Sequence, residues 1–325
     1  MRTGAAALYR CGLLQKAFQR RRGLRILCYH GVCADQAVGQ PETPAHYVGA
    51  GEFARHLEII RHFGPVVFLP EALDRGNRPG PTGPPAIAIT FDDVPACTFQ
   101  YARPVLEAQD LRASFFVATG HAGSGRLFWS DVLRVALRRP ELLEPAQRES
   151  LVSLRGERGI HKRLSVPVLR ERLEDIALTV QKRLDPASLE LLRPITWSEI
   201  RQLADAGHDI GGHTVDHAIL SREAPEERAR QVHQCVADLE AHLGRQPLGF
   251  AYPNGGPEDF GPTDAALLRE LGLRYAVTTR PGFADGEDRF SLPRICIGAA
   301  HRGPRFALEL SGLLDGRAQR QRGWR

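Results

Sequence analysis

The chain has 325 residues, 42% of them hydrophobic and 25% charged, a composition that excludes a disordered or fibrous protein. Its length suits one barrel or two small domains, and no internal period points to a repeat array. The net charge is +5, but Lys and Arg are spread along the chain rather than gathered beside aromatics, which argues against a nucleic-acid partner.

Residues 1–23 form a basic N-terminal segment. Its mildly apolar stretch precedes the charges at Lys16 and at Arg20 to Arg22, the reverse of a secretory leader, and no stretch reaches the apolar length of a membrane span. The expectation is a cytoplasmic protein, with a place at the inner face of the membrane left open. Leu8 to Phe18 is then either an amphipathic basic helix making a peripheral membrane contact or a frayed terminus. Cys11, Cys28, Cys33, Cys97, Cys235 and Cys296 contain no CxxC pair and read as reduced, partly buried thiols.

Leu24 to Tyr29 is an apolar run ending in His30-Gly31, predicted as a buried strand and a turn. Phe53, Leu57, Ile60 and Phe63 recur at helical spacing over Gly51 to Phe63. Val66 to Leu69 reads as a strand, and Gly76 to Pro85, rich in Gly and Pro, as a loop. Ala86 to Phe91 is almost continuously apolar, the pattern of a strand buried on both faces of a parallel sheet, and it delivers Asp92 and Asp93 at its end. A helix over Pro104 to Gln109 and a strand over Ala113 to Ala118 follow. From about 128 to 192 helical periodicity takes over without a strand, which predicts a helical insertion. The alternation then resumes. A helix from Ser198 to Ala206, capped by Ser198, precedes the strand-like Asp209 to Gly212 that leads to His213. Pro225 to Leu243 is a helix, Gly249 to Tyr252 a strand and Asp264 to Leu271 a helix. Tyr275 to Thr279 and Leu292 to Ile297 are the last strands. Strand–helix alternation of this kind predicts an α/β parallel architecture.

Three pieces carry chemistry. Thr90-Phe91-Asp92-Asp93 sets two carboxylates side by side at a strand end. They repel each other unless a metal or a cationic partner sits beside them; a solvated turn is the plainer alternative. In Gly211-Gly212-His213-Thr214-Val215-Asp216-His217 two histidines four apart could share a metal from one face of a helical turn, with the glycines allowing a sharp turn or close backbone approach. Chance pairs also arise among 12 histidines. Phe250-Ala251-Tyr252-Pro253-Asn254-Gly255-Gly256 is a strand running into a turn.

Together these pieces resemble the polysaccharide deacetylases of carbohydrate esterase family four, which carry the NodB-type homology domain. The likeness covers Ile26 to Ile297 and is nearest the exopolysaccharide and glycan-assembly branch, through Tyr29-His30-Gly31-Val32 and the FAYPxG-like Phe250 to Gly255. It implies a distorted (β/α) barrel over 24–300, with the helical insertion on one loop and 301–325 as a C-terminal tail. It also implies a metal-dependent hydrolase that removes the N-acetyl group from a GlcNAc-type sugar in a polysaccharide, an oligosaccharide or a lipid-linked glycan. Asp93, His213 and His217 would bind a divalent metal ion, zinc by ligand type, with iron, cobalt or nickel also compatible. Asp92 would be the general base, and the Tyr252 backbone N–H would help hold the oxyanion.

The sequence departs from the family in two places. Val94 stands where the family has Gly, so the turn after Asp93 is expected to differ and to narrow the cleft, because a β-branched residue resists positive φ. No Leu-x-His supplies a general acid. His30, at the end of the first strand, is the candidate that could reach the site opposite Asp92; His301 is the other. Arg294, among apolar neighbours, is either the cationic partner of Asp92 or an arginine on an outward strand face. Two other functions keep the same motifs: a deformylase or small-amide hydrolase on the same metal site, and a non-catalytic carbohydrate-binding relic.

Overall fold

The structure is a computed structural model that describes residues 2–74, 85–155, 164–321 and 323–324. Its centre is the pair of strands β1 (Leu24–Tyr29) and β4 (Ala86–Asp92), buried at every position and parallel from Leu24↔Ala86 to Tyr29↔Phe91. A strand without polar alternation needs cover on both faces, and both are covered. Leu27, Tyr29, Ile87, Ile89 and Phe91 share one core with Phe53, Leu57 and Ile60 of α3 (Ala50–Phe63). Ile26, Ala86 and Ala88 share another with Phe116, Ala251, Tyr275 and Val277.

The short strands β2 (Val32–Cys33) and β3 (Val48–Gly49) pair separately. β5 (Ser114–Val117), β6 (Asp209–Gly212), β7 (Gly249–Ala251), β8 (Tyr275–Val277) and β9 (Arg294–Cys296) complete a seven-stranded parallel sheet in the order β8-β7-β6-β5-β4-β1-β9. A parallel bridge between Val277 and Leu292 joins its two edges, with Thr278 N–H donating to the Leu292 carbonyl at 2.9 Å. The sheet therefore curls into the nearly closed, distorted (β/α) barrel expected from the sequence. Parallel strands bring their C-terminal ends to one rim.

α5 (Ala96–Glu107), α10 (Trp197–Asp205), α11 (Pro225–Leu243) and α12 (Pro262–Glu270) follow strands or loops in the order the alternation predicts. Three boundaries differ from the sequence reading. α5 starts directly after Pro95, so Pro104 lies inside it; the missing N–H costs a hydrogen bond, offset by burial of Thr98, Ala102 and Leu106. The cap of α10 is Thr196, not Ser198, because Thr196 and Glu199 exchange hydrogen bonds in a capping box. Val66 makes only an isolated bridge to Ile87, and α4 (Leu69–Asp74) begins where the strand was expected to end. The loop expected over Gly76 to Pro85 lies almost wholly outside the described residues.

Between β5 and β6 come α6 (Trp129–Arg138), α7 (Pro145–Arg155), α8 (Val166–Arg183) and α9 (Pro186–Leu192). They bury their own apolar cluster, including Leu133, Leu143, Leu169, Leu173 and Val180. At the N-terminus α1 (Arg2–Arg10) and α2 (Leu13–Gln19) are separated by Gly12, which sits at φ 68°. The single helix over Leu8 to Phe18 is thus broken, and its end is not frayed. Leu14 and Phe18 are fully buried, Phe18 with ring contacts to Phe63 and Phe283, and each such side chain contributes roughly 1.5–3 kcal/mol. After β9, α13 (Pro304–Leu310) packs on α1, and α14 (Asp315–Gln321) is tied to the barrel by a fully buried Arg25 that donates to both Asp315 oxygens. All six cysteines are free, and no helix among the described residues is long and apolar enough to cross a membrane.

Candidate active site

The β4 strand ends in an abrupt turn. Asp93 and Val94 both have positive φ, 63° and 49°, and Val94 N–H closes on the Asp92 carbonyl at 2.6 Å. The valine therefore adopts the left-handed conformation it was expected to resist. That strain is of order 1–3 kcal/mol, and complete burial of the Val94 side chain in the core that holds Phe91 and Ile195 offsets it. Val94 points into this core and does not line the cleft, so it does not narrow it.

The turn delivers Asp93 to the two histidines. Asp93 Oδ1 lies 3.3 Å from His213 Nε2 and 3.1 Å from His217 Nε2, yet it is buried without an aligned hydrogen-bond partner. The three side chains point at a common place rather than at each other. His213 Nδ1 is hydrogen-bonded to the Ala251 carbonyl at 2.7 Å, which leaves Nε2 as the nitrogen free to ligate. Burial works against ionising Asp93, but His217 and His213 together hold its pKa well below the usual range. Burial likewise disfavours charged His213, and the carboxylates Asp93 and Asp92 outweigh it and raise its pKa. A cluster that holds protons in this way is one a cation can take over. One carboxylate and two imidazoles, with ligand atoms within 4.8 Å of one another, suit a divalent transition metal.

The histidines are not on a helical turn. Residues 213–219 are irregular, with Thr214 at φ 63° and His217 at φ 54°. Gln231 of α11, fully buried, braces the segment by accepting the N–H groups of Val215 and Asp216 at 3.0 and 2.9 Å. Before it, a Cβ on Gly211 would lie 2.6 Å from the Gly249 carbonyl oxygen, so the glycine serves close strand approach.

Asp92 is held differently. Arg294, on β9, donates from Nη1 to Asp92 Oδ1 at 2.7 Å and from Nη2 to Oδ2 at 2.6 Å. Nη1 also donates to Thr90 Oγ1, and Nε donates to the Thr278 carbonyl. Burial opposes the Asp92 carboxylate, and the Arg294 charge outweighs it, so the pKa stays below the ordinary value. Cys28, His30 and Asp92 also gather ligand-type atoms within 4.8 Å. Asp92 is already engaged by Arg294, however, and burial pushes the Cys28 thiol well up, keeping it protonated.

Asp92, Asp93, His213 and His217 line a cleft of ≈ 710 Å³ at the rim. His30 is in it, but beside Asp92 rather than opposite, because β1 and β4 are hydrogen-bonded neighbours whose ends meet. Next to it stands His46, which the sequence did not single out; their rings are 4.5 Å apart. Burial, then His30, pushes the His46 pKa down to about 3, so it is neutral. His301 does not line the cleft; its ring bonds the Gly298 backbone. The Tyr252 N–H, expected to face the oxyanion, donates instead to the Val277 carbonyl in the β7–β8 pairing at 3.3 Å, and Tyr252 does not line the cleft. Two residues on, Asn254 does, with a buried Nδ2 that has no hydrogen-bond partner. Asn254 at φ 59° was legible only as a turn residue. Trp129, the first residue of α6, and Trp324, beyond α14, line the cleft as well.

The family model for polysaccharide deacetylases matches residues 79–276. The chain belongs to that family. As a polysaccharide deacetylase it is a hydrolase of N-acetyl amide bonds. Its fold is shared by IcaB from Ammonifex degensii, with a TM-score of 0.57 and 21% identity over 90% of this chain and 98% of that one. The Streptococcus pyogenes deacetylase PplD in complex with acetate gives a TM-score of 0.58 and 18% identity over 89% of this chain and 98% of that one. A de-N-acetylase from Aggregatibacter actinomycetemcomitans gives 0.57 and 15%, over 88% and 99%. No curated protein matches the sequence.

Proposed function

We propose that this polysaccharide deacetylase removes the acetyl group from a GlcNAc-type unit of a glycan, using a divalent metal held by Asp93, His213 and His217. The observation that carries the reading is the convergence of Asp93 Oδ1, His213 Nε2 and His217 Nε2 in the cleft that Asp92 also lines. When bound, the ion polarises the amide carbonyl and lowers the pKa of a water.

The chain's own groups do the rest. Asp92, kept ionised by Arg294, takes the proton from the attacking water. Arg294 acts on the reaction only through Asp92. Asn254 Nδ2, an unpaired donor at the cleft, is the side chain suited to the oxygen that gains charge as the tetrahedral intermediate forms. His30, with a ring nitrogen within 4.8 Å of an Asp92 oxygen, returns a proton to the departing amine. A cleft of ≈ 710 Å³ fits a sugar unit better than a small amide, which favours the glycan reading over the small-amide alternative. The test is acetate release from N-acetylglucosamine oligomers, with and without chelation of divalent metal. Release that chelation stops and readded metal restores supports the reading; chelation-insensitive release, or none, removes it.

A further inference from the structure

Gly323 and Trp324, beyond α14, line the cleft beside Pro257 and Asn254, and nothing in the chemistry described above uses them. A methyl group added at Gly323, which sits at φ 76°, would lie 3.8 Å from the Pro257 ring. Trp324 is anchored there. Its backbone N–H donates to the Gln319 carbonyl at 3.0 Å, and Gln319 Nε2 donates to the Pro281 carbonyl at 2.6 Å. Asp315, in the first turn of the same helix, takes both Arg25 hydrogen bonds, at 2.8 and 2.9 Å.

Two polar atoms on this side of the cleft lack partners. Trp324 Nε1 and Asn254 Nδ2 are both buried donors without an acceptor. A buried donor left unpaired is unfavourable, and native structures rarely keep one unless a ligand or water completes it. Here two such donors accompany an indole, which offers a flat apolar face and a polar edge. A pyranose ring has the matching chemistry: an apolar face of C–H groups and a rim of hydroxyl and N-acetyl oxygens that accept hydrogen bonds.

We propose that Trp324 forms a subsite that binds a glycan by stacking its indole on the sugar next to the one being deacetylated, while its Nε1–H bonds an oxygen at the junction of the two units and Asn254 faces the reacting sugar. The inference rests on the proposed deacetylase function and extends it: the substrate is a chain of at least two sugars, and Trp324 helps select it.

The test compares N-acetylglucosamine itself, which cannot reach the subsite, with its five-unit oligomer. The ratio of kcat/KM for the five-unit oligomer to that for the single sugar is measured in wild type and in Trp324→Ala. The ratio should fall about tenfold, the scale of a lost aromatic contact and a lost hydrogen bond, with most of the loss in KM for the oligomer. An unchanged ratio overturns the subsite, as does an equal loss on both substrates accompanied by a lowered melting temperature, which would make Trp324 structural. The second arm uses Trp324→Phe, which keeps an aromatic ring for packing. Adding the five-unit oligomer should shift the tryptophan emission of wild type, and that shift should shrink by half or more in Trp324→Phe. A shift of undiminished size, or none in wild type, rejects Trp324 as a sugar contact. Should wild type release no acetate from either substrate, the function fails while the emission arm still decides the subsite.

Discussion

Replacing Arg294 by Met removes the charge that holds Asp92 while keeping most of the side chain's length. In wild type the guanidinium is fully buried, Asp92 is nearly so, and two hydrogen bonds of 2.7 and 2.6 Å join them. Removing one member of a buried ion pair costs about 3–5 kcal/mol, because the other charge is left in a site that cannot solvate it. At roughly 2 °C per kcal/mol for a chain of this size, the melting temperature at neutral pH should fall by roughly 6–10 °C. The pH dependence has a definite sign. With Arg294 present the Asp92 pKa is depressed, so the stability it contributes is present above the unfolded value of about 3.9 and is lost as pH falls through the folded value. Without Arg294, burial, the largest influence on this carboxyl, acts with little to oppose it and the pKa rises. Stability lost at neutral pH then returns as pH falls through the raised value, so the two melting curves approach each other in acid. The acid limb of kcat/KM should move to higher pH by about one unit or more, with part of the rate recovered in alkali, since each unit corresponds to about 1.36 kcal/mol. Acetate release across pH, with both enzymes loaded with the same metal, reads the limb; calorimetry at two pH values reads the stability. A folded, metal-loaded Arg294→Met enzyme with the wild-type acid limb would show that Arg294 does not keep Asp92 ionised for the reaction.

Asp92→Asn should keep the metal and lose turnover by roughly 10²–10⁴; metal lost from Asp92→Asn but retained in Asp93→Asn, by elemental analysis, would mean the two roles are exchanged. His213→Ala and His217→Ala should each shed the metal with the far-ultraviolet circular dichroism unchanged, and full occupancy in the double variant is the contrary result. Val94→Gly should be at least as stable to denaturant as Val94→Ala, because glycine alone relieves the left-handed strain of about 1–3 kcal/mol while both lose the buried isopropyl group; Ala clearly above Gly would show that the turn is unstrained. His30→Gln should slow turnover and flatten the alkaline limb of the rate profile, whereas His301→Gln, away from the cleft, should do neither; the reverse pattern would reassign the proton donor.

The barrel was legible because its central strands are apolar at every position, as β1 and β4 show, and local periodicity reports such burial directly. Boundaries were less legible where side chains decide them. Thr196 outcompetes Ser198 as the cap because Glu199 stands three residues after it, and α5 accommodates Pro104 because its core face is buried. The pairing of Arg294 with Asp92 could be anticipated, since a cation amid apolar neighbours needs an anion. The form of the His213–His217 segment could not, because Gln231 braces it from α11. The Tyr252 N–H was misplaced for a related reason: strand pairing with Val277 consumes it, and pairing is not visible in a motif. His46, Trp129 and Trp324 carry no local signal. They reach the cleft only because β3, the insertion and the chain's end fold over one rim.

Deacetylation by this chain is proposed to depend on a metal held by Asp93, His213 and His217. The most direct measurement strips the purified protein with a chelator and restores zinc in fractions of an equivalent, following acetate release from a five-unit N-acetylglucosamine oligomer. The claim predicts no release from the stripped protein, then a linear return that saturates at one metal per chain and is absent from His213→Ala. Undiminished release from protein shown to be free of metal would contradict it.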